Sequence, residues 1–227
     1  MPGSWLATAR KQKGWTQQEA AARVGVSQTY WSLLEHGRRP LSRQLVARLR
    51  RYFKVPVTLA PLEGERDVPP TAEALAAALS GLGYPGFSHV RSGKTVNPAR
   101  LMLAALRLSD VETRVVEALP WLAWHHCDLD WDWLVQRVKV ADLQNRLGFV
   151  VRLARQVAAH KRDDAAVTVL ADVEHRLERS RLVREDTLCR ESMSAAERRW
   201  LTTARSPDAA HWNLFSDLTA ERLPYAA

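Results

Sequence analysis

Over the first sixty residues apolar side chains recur at steps of three and four, the period of helices with one buried face, and capping residues cut that pattern into short pieces. Trp5 to Lys13 reads as a first helix with Leu6 and Ala9 turned inward and Gly14 ending it. Thr16-Gln17-Gln18-Glu19 has the form of a capping box, the Thr16 hydroxyl accepting from the Glu19 amide while the Glu19 carboxylate reaches back; a second helix follows to Val24. Gly25 supplies the positive φ that a sharp turn needs. Ser27 caps a third helix, Gln28 to His36, which stops at Gly37. After the loop Arg38-Arg39-Pro40-Leu41, Ser42 caps a fourth helix reaching about Phe53, and Val55-Pro56-Val57 enters a short fifth helix or turn.

Residues 61–98 read as a connection. Three Pro, one Gly and four charges fall in 61–70, an Ala-rich helix follows over 71–82, and 83–98 form an irregular Gly/Pro-rich arm. From residue 99 the pattern is helical again, over 99–108, 111–125, 131–140, 142–160, 163–190 and 194–203, before a looser tail holding Trp212, Phe215 and Leu218. In the helix over 142–160, Leu143, Leu147, Val150, Ala154, Val157 and Ala158 share one face. The fold class expected is all-α: a five-helix domain over 1–60, the connection over 61–98, and a larger α-helical domain over 99–227.

Composition agrees. The chain of 227 residues is 46% hydrophobic with nine Trp and only ten Gly, enough to bury a core and favouring helices. Cys127 and Cys189 fit free thiols in a reducing compartment rather than a disulfide framework. No basic-then-apolar leader opens the sequence and no apolar run approaches a membrane span, so a cytoplasmic protein away from the membrane is expected. The net charge of +8 changes the picture once it is divided. Residues 1–60 hold eleven Lys or Arg against only Glu19 and Glu35, a net +9, while the rest holds 22 basic and 23 acidic side chains. That asymmetry is the footprint of a nucleic-acid-binding module joined to a neutral domain.

The run from Thr16 to Gln28, continuing through Tyr30, Trp31, Leu34, Glu35 and Gly37 to Pro40 and reaching upstream to Leu6, Arg10, Lys13 and Gly14, resembles the phage-repressor-like, or XRE-family, helix-turn-helix. The likeness covers about residues 4–58. Ala21 is small where two helices must cross closely, and Gly25 makes the turn between them. What the resemblance implies is double-stranded DNA as partner, with the helix after Ser27 in the major groove and its first residues at base edges. Gln28 can make bidentate hydrogen bonds to adenine, Thr29 offers a hydroxyl and a methyl, and Ser32 reaches the next base or a phosphate. Leu33 either meets a thymine methyl or packs against a neighbour. By resemblance Gln17 bonds a phosphate and buttresses Gln28, while Arg38, Arg39 and Arg43 meet the sugar–phosphate backbone and set affinity. Arg10 and Glu35 match positions that pair across the first and third helices. Leu6, Trp15, Val24, Val26, Trp31 and Leu34 are the expected small core. Trp31 stands where the family has Ile or Val and Ala20 where it has Leu, a pair of swaps that conserves core volume if Trp31 is buried.

Other clusters are weaker. His125-His126-Cys127-Asp128 could supply about two ligands to a metal, and adjacent helical residues diverge by about 100°, so a helix end is the simpler reading and neither metal nor cofactor is expected. Asp128 or Asp130 can cap the helix that begins at Trp131. Trp121, Trp124, Trp131 and Trp133 read as core or interface before a ligand cage. Asn145-Arg146 and Arg190-Glu191 read as buried or surface hydrogen bonding, and no catalytic residue is expected, since no phosphate loop, nucleophile elbow or spaced carboxylate pair appears. The expected function is a dimeric DNA-binding regulator, most simply a repressor, with 99–227 supplying dimer contacts. Two alternatives put another task there: an antitoxin domain that neutralises a toxin, or a ligand sensor.

Overall fold

The computed structural model describes residues 2–60, 62, 71–92 and 96–226. Most of the connecting stretch (61 and 63–70) and residues 93–95 of the expected arm lie outside them. The chain divides into two compact units, 1–66 and 67–227.

In the first unit α1 (Pro2–Gln12), α2 (Gln17–Val24), α3 (Gln28–Glu35) and α4 (Arg43–Leu49) are followed by a 3₁₀ turn at Val57–Leu59, which is the form the expected fifth element takes. Leu6, Ala20, Ala21, Val24, Trp31, Leu34, Leu45, Leu49 and Phe53 form its core. Trp31 is fully buried and shares that core with Ala20, in keeping with the exchange of volume between the two positions. Trp15 and Val26 lie half-buried against it. α4 is shorter than the sequence pattern suggests. After Leu49 the chain tightens into i→i+3 bonds, Arg51 N to Arg48 O and Tyr52 N to Leu49 O. Phe53 then sits among Trp5, Trp15 and Trp31, ring centroids 5.6–6.4 Å away.

The second unit comprises α5 (Ala72–Gly81), a 3₁₀ turn at Pro85–Phe87, α6 (Pro98–Leu106), α7 (Thr113–His125), α8 (Trp131–Val140), α9 (Gln144–His160), α10 (Asp164–Glu178), α11 (Ala195–Ala204) and α12 (Pro207–His211). Two two-residue strands, β1 (Asp186–Thr187) and β2 (Leu214–Phe215), pair in parallel with Asp186 opposite Leu214. α5, within the segment read as a connection, packs against α6 and α7, the turn after it packs on α5, and Tyr84 meets Trp121 of α7 edge-on, with Leu75, Leu79, Tyr84 and Phe87 buried. α9 is the axis, packed by α7, α8, α10 and α12. Its expected inner face is buried, and so are Phe149, Val151 and Leu153 on other sides. At Gly148 an added Cβ would lie 2.3–2.6 Å from the Trp212 ring, so the absence of a side chain lets Trp212 rest on the helix backbone.

The helix expected over 163–190 ends at Glu178 instead. Its charged pattern continues, but the polar start of α9 captures the chain beyond it. Gln144 Nε2 donates to the Ser180 carbonyl, and Asn145 both accepts from Leu182 N (2.8 Å) and donates to Leu182 O (2.9 Å). Arg146 then makes a two-pronged contact with Asp186 at 2.7 and 2.8 Å. A helical path through Leu182 would break these buried bonds, each of which satisfies a group already removed from water.

Candidate nucleic-acid interface

The helix-turn-helix is assembled by local chemistry the sequence displays. Thr16 Oγ1 accepts from Glu19 N at 3.2 Å and Thr16 N donates to Glu19 Oε2 at 2.8 Å, closing the capping box. Gly25 has φ 74° and ψ 46°, and Val26 N donates back to Ala21 O, so the chain reverses within three residues. Ser27 Oγ then accepts from Tyr30 N at 3.1 Å and starts α3.

Beneath α3 lies a polar junction. Glu35 accepts from Arg10 Nε (2.6 Å) and Nη2 (3.2 Å), from Gln17 Nε2 (2.8 Å) and from Trp31 Nε1 (2.7 Å). Arg10 Nη1 donates to the Trp15 carbonyl at 2.7 Å. One carboxylate thus ties α1, α2 and α3 together. Burial alone would raise its pKa, but the hydrogen bonds from Arg10, Gln17 and Trp31 outweigh burial and hold it below the ordinary glutamate value. The same bond to Glu35 raises the Arg10 guanidinium against its own burial. The Arg10–Glu35 pair matches the expectation drawn from resemblance. The indole N–H gives Trp31 a function that the family's usual Ile or Val could not perform.

With α3 held from below, Gln28 and Thr29 stand exposed on its first turn, and Ser32 and Leu33, one turn on, are half-buried. His36 Nδ1 lies 2.7 Å from the Ser32 carbonyl oxygen and 3.4 Å from Ser32 Oγ, so the Ser32 hydroxyl has a neighbour that the sequence reading did not assign. The i,i+4 spacing of the two residues was the available signal. Gln17 Nε2 donates to Glu35, which orients its amide, and one of its amide hydrogens stays outside that bond. Arg38 and Arg39 are exposed in the loop after α3, and Arg43 is exposed at the first position of α4 behind the Ser42 cap.

Two further arginines escaped sequence reasoning. Arg48 Nη1 donates to the carbonyls of Gly25 (3.2 Å) and Val24 (3.5 Å), strapping α4 to the turn of the motif. The Arg23 guanidinium lies over the Trp15 ring, 4.3 Å from its centroid. Contacts separated by 8 to 24 residues leave no local pattern to read.

Most members of the remaining clusters in the second unit have structural partners, while among the described residues Trp133 Nε1 and His126 Nε2 are buried without a hydrogen bond. Asp130 caps α8 by accepting from Trp133 N at 3.0 Å. Trp121 stacks on His125 at 4.6 Å, Trp124 donates to Asp163, and Trp131 donates to the Cys127 carbonyl. Burial, with His125 beside it, pushes His126 down to about 4. Among the described residues no three His, Cys, Asp or Glu side chains gather as metal ligands, and no helix is long and apolar enough to cross a membrane. Burial pushes the Cys189 thiol up to about 11, with Arg146 opposing it.

A family profile described as a helix-turn-helix domain matches residues 3–62. The first unit is therefore a helix-turn-helix domain of the XRE/Cro-like kind, and the chain a DNA-binding regulator in the broad sense. No curated protein matches the chain. No solved structure matches it either.

Proposed function

We propose that the chain is a sequence-specific transcriptional repressor that binds a pseudo-palindromic site as a homodimer in the cytoplasm. The supporting observation is the contrast along α3: Gln28 and Thr29 are exposed at its N-terminus while its other end is clamped through Glu35 to α1 and α2. A recognition helix must present such residues to base edges from a rigid support. Gln28 reads an adenine, Thr29 and Ser32 neighbouring positions, and Leu33 a thymine methyl. The second amide hydrogen of Gln17, with Arg38, Arg39 and Arg43, meets phosphates. An eight-residue α3 spans few base pairs, and two-fold pairing doubles the footprint. Footprinting on the gene's own upstream region tests this. Gln28→Ala should weaken the footprinted site by about 1–3 kcal/mol and relax one base position. Arg39→Ala should weaken all duplexes and lower the salt dependence by about one counterion. Wild-type binding by both variants would overturn the docking.

A second reading, that the larger unit also neutralises a protein such as a toxin, draws support from Trp200. This residue is 55% exposed on α11, a helix with only Leu201 buried. Exposed aromatic anchors of that kind are typical of binding hot spots. Co-expression with the product of the adjacent gene, scored by rescue of its toxicity and loss of rescue in Trp200→Ala, separates the two readings.

A further inference from the structure

On the first unit, the turn between α2 and α3 borders an open concavity of about 390 Å³ lined by Arg23, Val24, Gly25, Arg48, Arg51 and Tyr52. Three guanidinium groups share it, and no carboxylate lines it. The nearest acid in sequence, Glu19, is already engaged with Thr16 in the capping box. Two of the arginines are held in place: Arg23 lies on Trp15, and Arg48 donates to the Val24 and Gly25 carbonyls. Guanidinium groups immobilised in advance lose little freedom when they meet an oxyanion, and their planar fork matches phosphate oxygens in pairs. The Arg51 side chain is exposed and has no hydrogen-bond or ion-pair partner among the described residues.

Position connects this cluster to DNA. Gly25 is three residues from Gln28, and three residues of chain span at most about 11 Å. The B-DNA major groove is about 12 Å wide with phosphates along both borders, so the turn that lines the cluster lies within about one groove width of a base-reading residue. We propose that the Arg23–Arg48–Arg51 concavity is a phosphate site that takes one backbone phosphate bordering the groove entered by α3. The proposal rests on the docking of α3 set out above. It adds a contact at the opposite end of the recognition helix from the Arg38–Arg39 loop, because Gly25 precedes α3 and the loop follows it.

The test is fluorescence anisotropy of the full chain on a labelled mixed-sequence duplex, titrated between about 50 and 200 mM salt, where the slope of log affinity counts phosphates at about 0.9 each. Arg51→Ala removes a side chain with no hydrogen-bond or ion-pair partner among the described residues, and Arg23→Ala/Arg51→Ala opens the site further. Arg184→Ala/Arg199→Ala removes two exposed charges from the second unit as a matched control. The Arg23/Arg51 double variant should lower the slope by about 0.9, shrinking the salt-induced loss of affinity by about three- to fourfold, with Arg51→Ala between it and wild type. The control should keep the wild-type slope. An unchanged slope in the double variant overturns the phosphate site and leaves the cluster to an acidic protein segment. An equal fall in the control overturns it too, since net charge alone would then account for the effect. If wild-type protein shows no salt-dependent affinity for any duplex, the DNA-docking reading falls first, which is a different result from either.

Discussion

Replacing Glu35 by Gln tests the junction beneath the recognition helix, because it keeps the shape and removes the charge. Oε1 accepts from Arg10 Nε and Trp31 Nε1, and Oε2 from Arg10 Nη2 and Gln17 Nε2. With the amide oxygen at the Oε1 position, the new NH₂ faces two donors. Gln17 can turn its own amide to accept, but Arg10 Nη2 cannot. One donor–donor opposition therefore remains, together with a guanidinium whose counter-charge is gone. The side chains of Arg10 and Glu35 are only 12% and 5% exposed, so water cannot fully replace the lost partner. Hydrogen bonds to a charged group contribute about 1.5–3 kcal/mol each and breaking a fully buried pair costs about 3–5. With partial access at Arg10 and one bond rescued by Gln17, Glu35→Gln should destabilise the first unit by about 2–3 kcal/mol.

Nine tryptophans across two units blur a fluorescence melt, so the measurement is hydrogen exchange by mass spectrometry on peptides from α1, α2 and α3 along a urea series. Acid titration gives a second check. Because the folded pKa of Glu35 lies below 4.5, its stabilisation is complete above that value and is lost as pH falls through the lower folded pKa. Wild type and variant should therefore converge in acid. A variant within about 0.5 kcal/mol of wild type at neutral pH, or a difference that persists in acid, would refute the assignment of the junction.

Gly148→Ala should destabilise the second unit by about 1–3 kcal/mol, despite the better helix propensity of Ala, because its Cβ would fall within 2.6 Å of the Trp212 ring; the urea midpoint and the near-ultraviolet CD of the indole report it. Asn145→Ala leaves the Leu182 amide without an acceptor, so about 1–3 kcal/mol of local protection should vanish from residues 179–190 in hydrogen exchange while α10 keeps its own.

The first unit was legible because its instructions are local. Thr16 with Glu19, Gly25 and Ser27 each act within three or four residues, and the structure repeats them bond for bond. Arg10 with Glu35 was found only through resemblance, since 25 residues separate them. Arg48 on the motif's turn could not be found at all. The larger unit yielded its helices but not its wiring. The periodic charges after Glu178 favour more helix, and what stops it is a set of bonds from Gln144, Asn145 and Arg146, about 36 to 40 residues upstream. A pattern search assigns such residues to a polar face, yet all three are buried. Buried polar groups commit distant segments to each other, and periodicity carries no record of that.

The charge of the first unit has one more consequence. Residues 1–60 hold eleven basic side chains and two acids, and both acids already have partners within the unit: exposed Glu19 in the capping box of α2, Glu35 at the junction below α3. The cations outside those contacts repel one another across a small surface, which opposes compaction, and a polyanion relieves that repulsion. Salt acts on the two effects with opposite signs. It screens the cations from each other, so the free unit should become more stable as ionic strength rises; it also removes the gain from counterion release, so DNA binding should weaken over the same range. Protection of the first-unit amides without DNA, measured beside affinity for duplex as salt is raised, should move upward as affinity moves downward. Amide protection that fell together with affinity would mean that the positive charge is compensated within the unit, and the case for its surface as a backbone-binding face would lose its electrostatic basis.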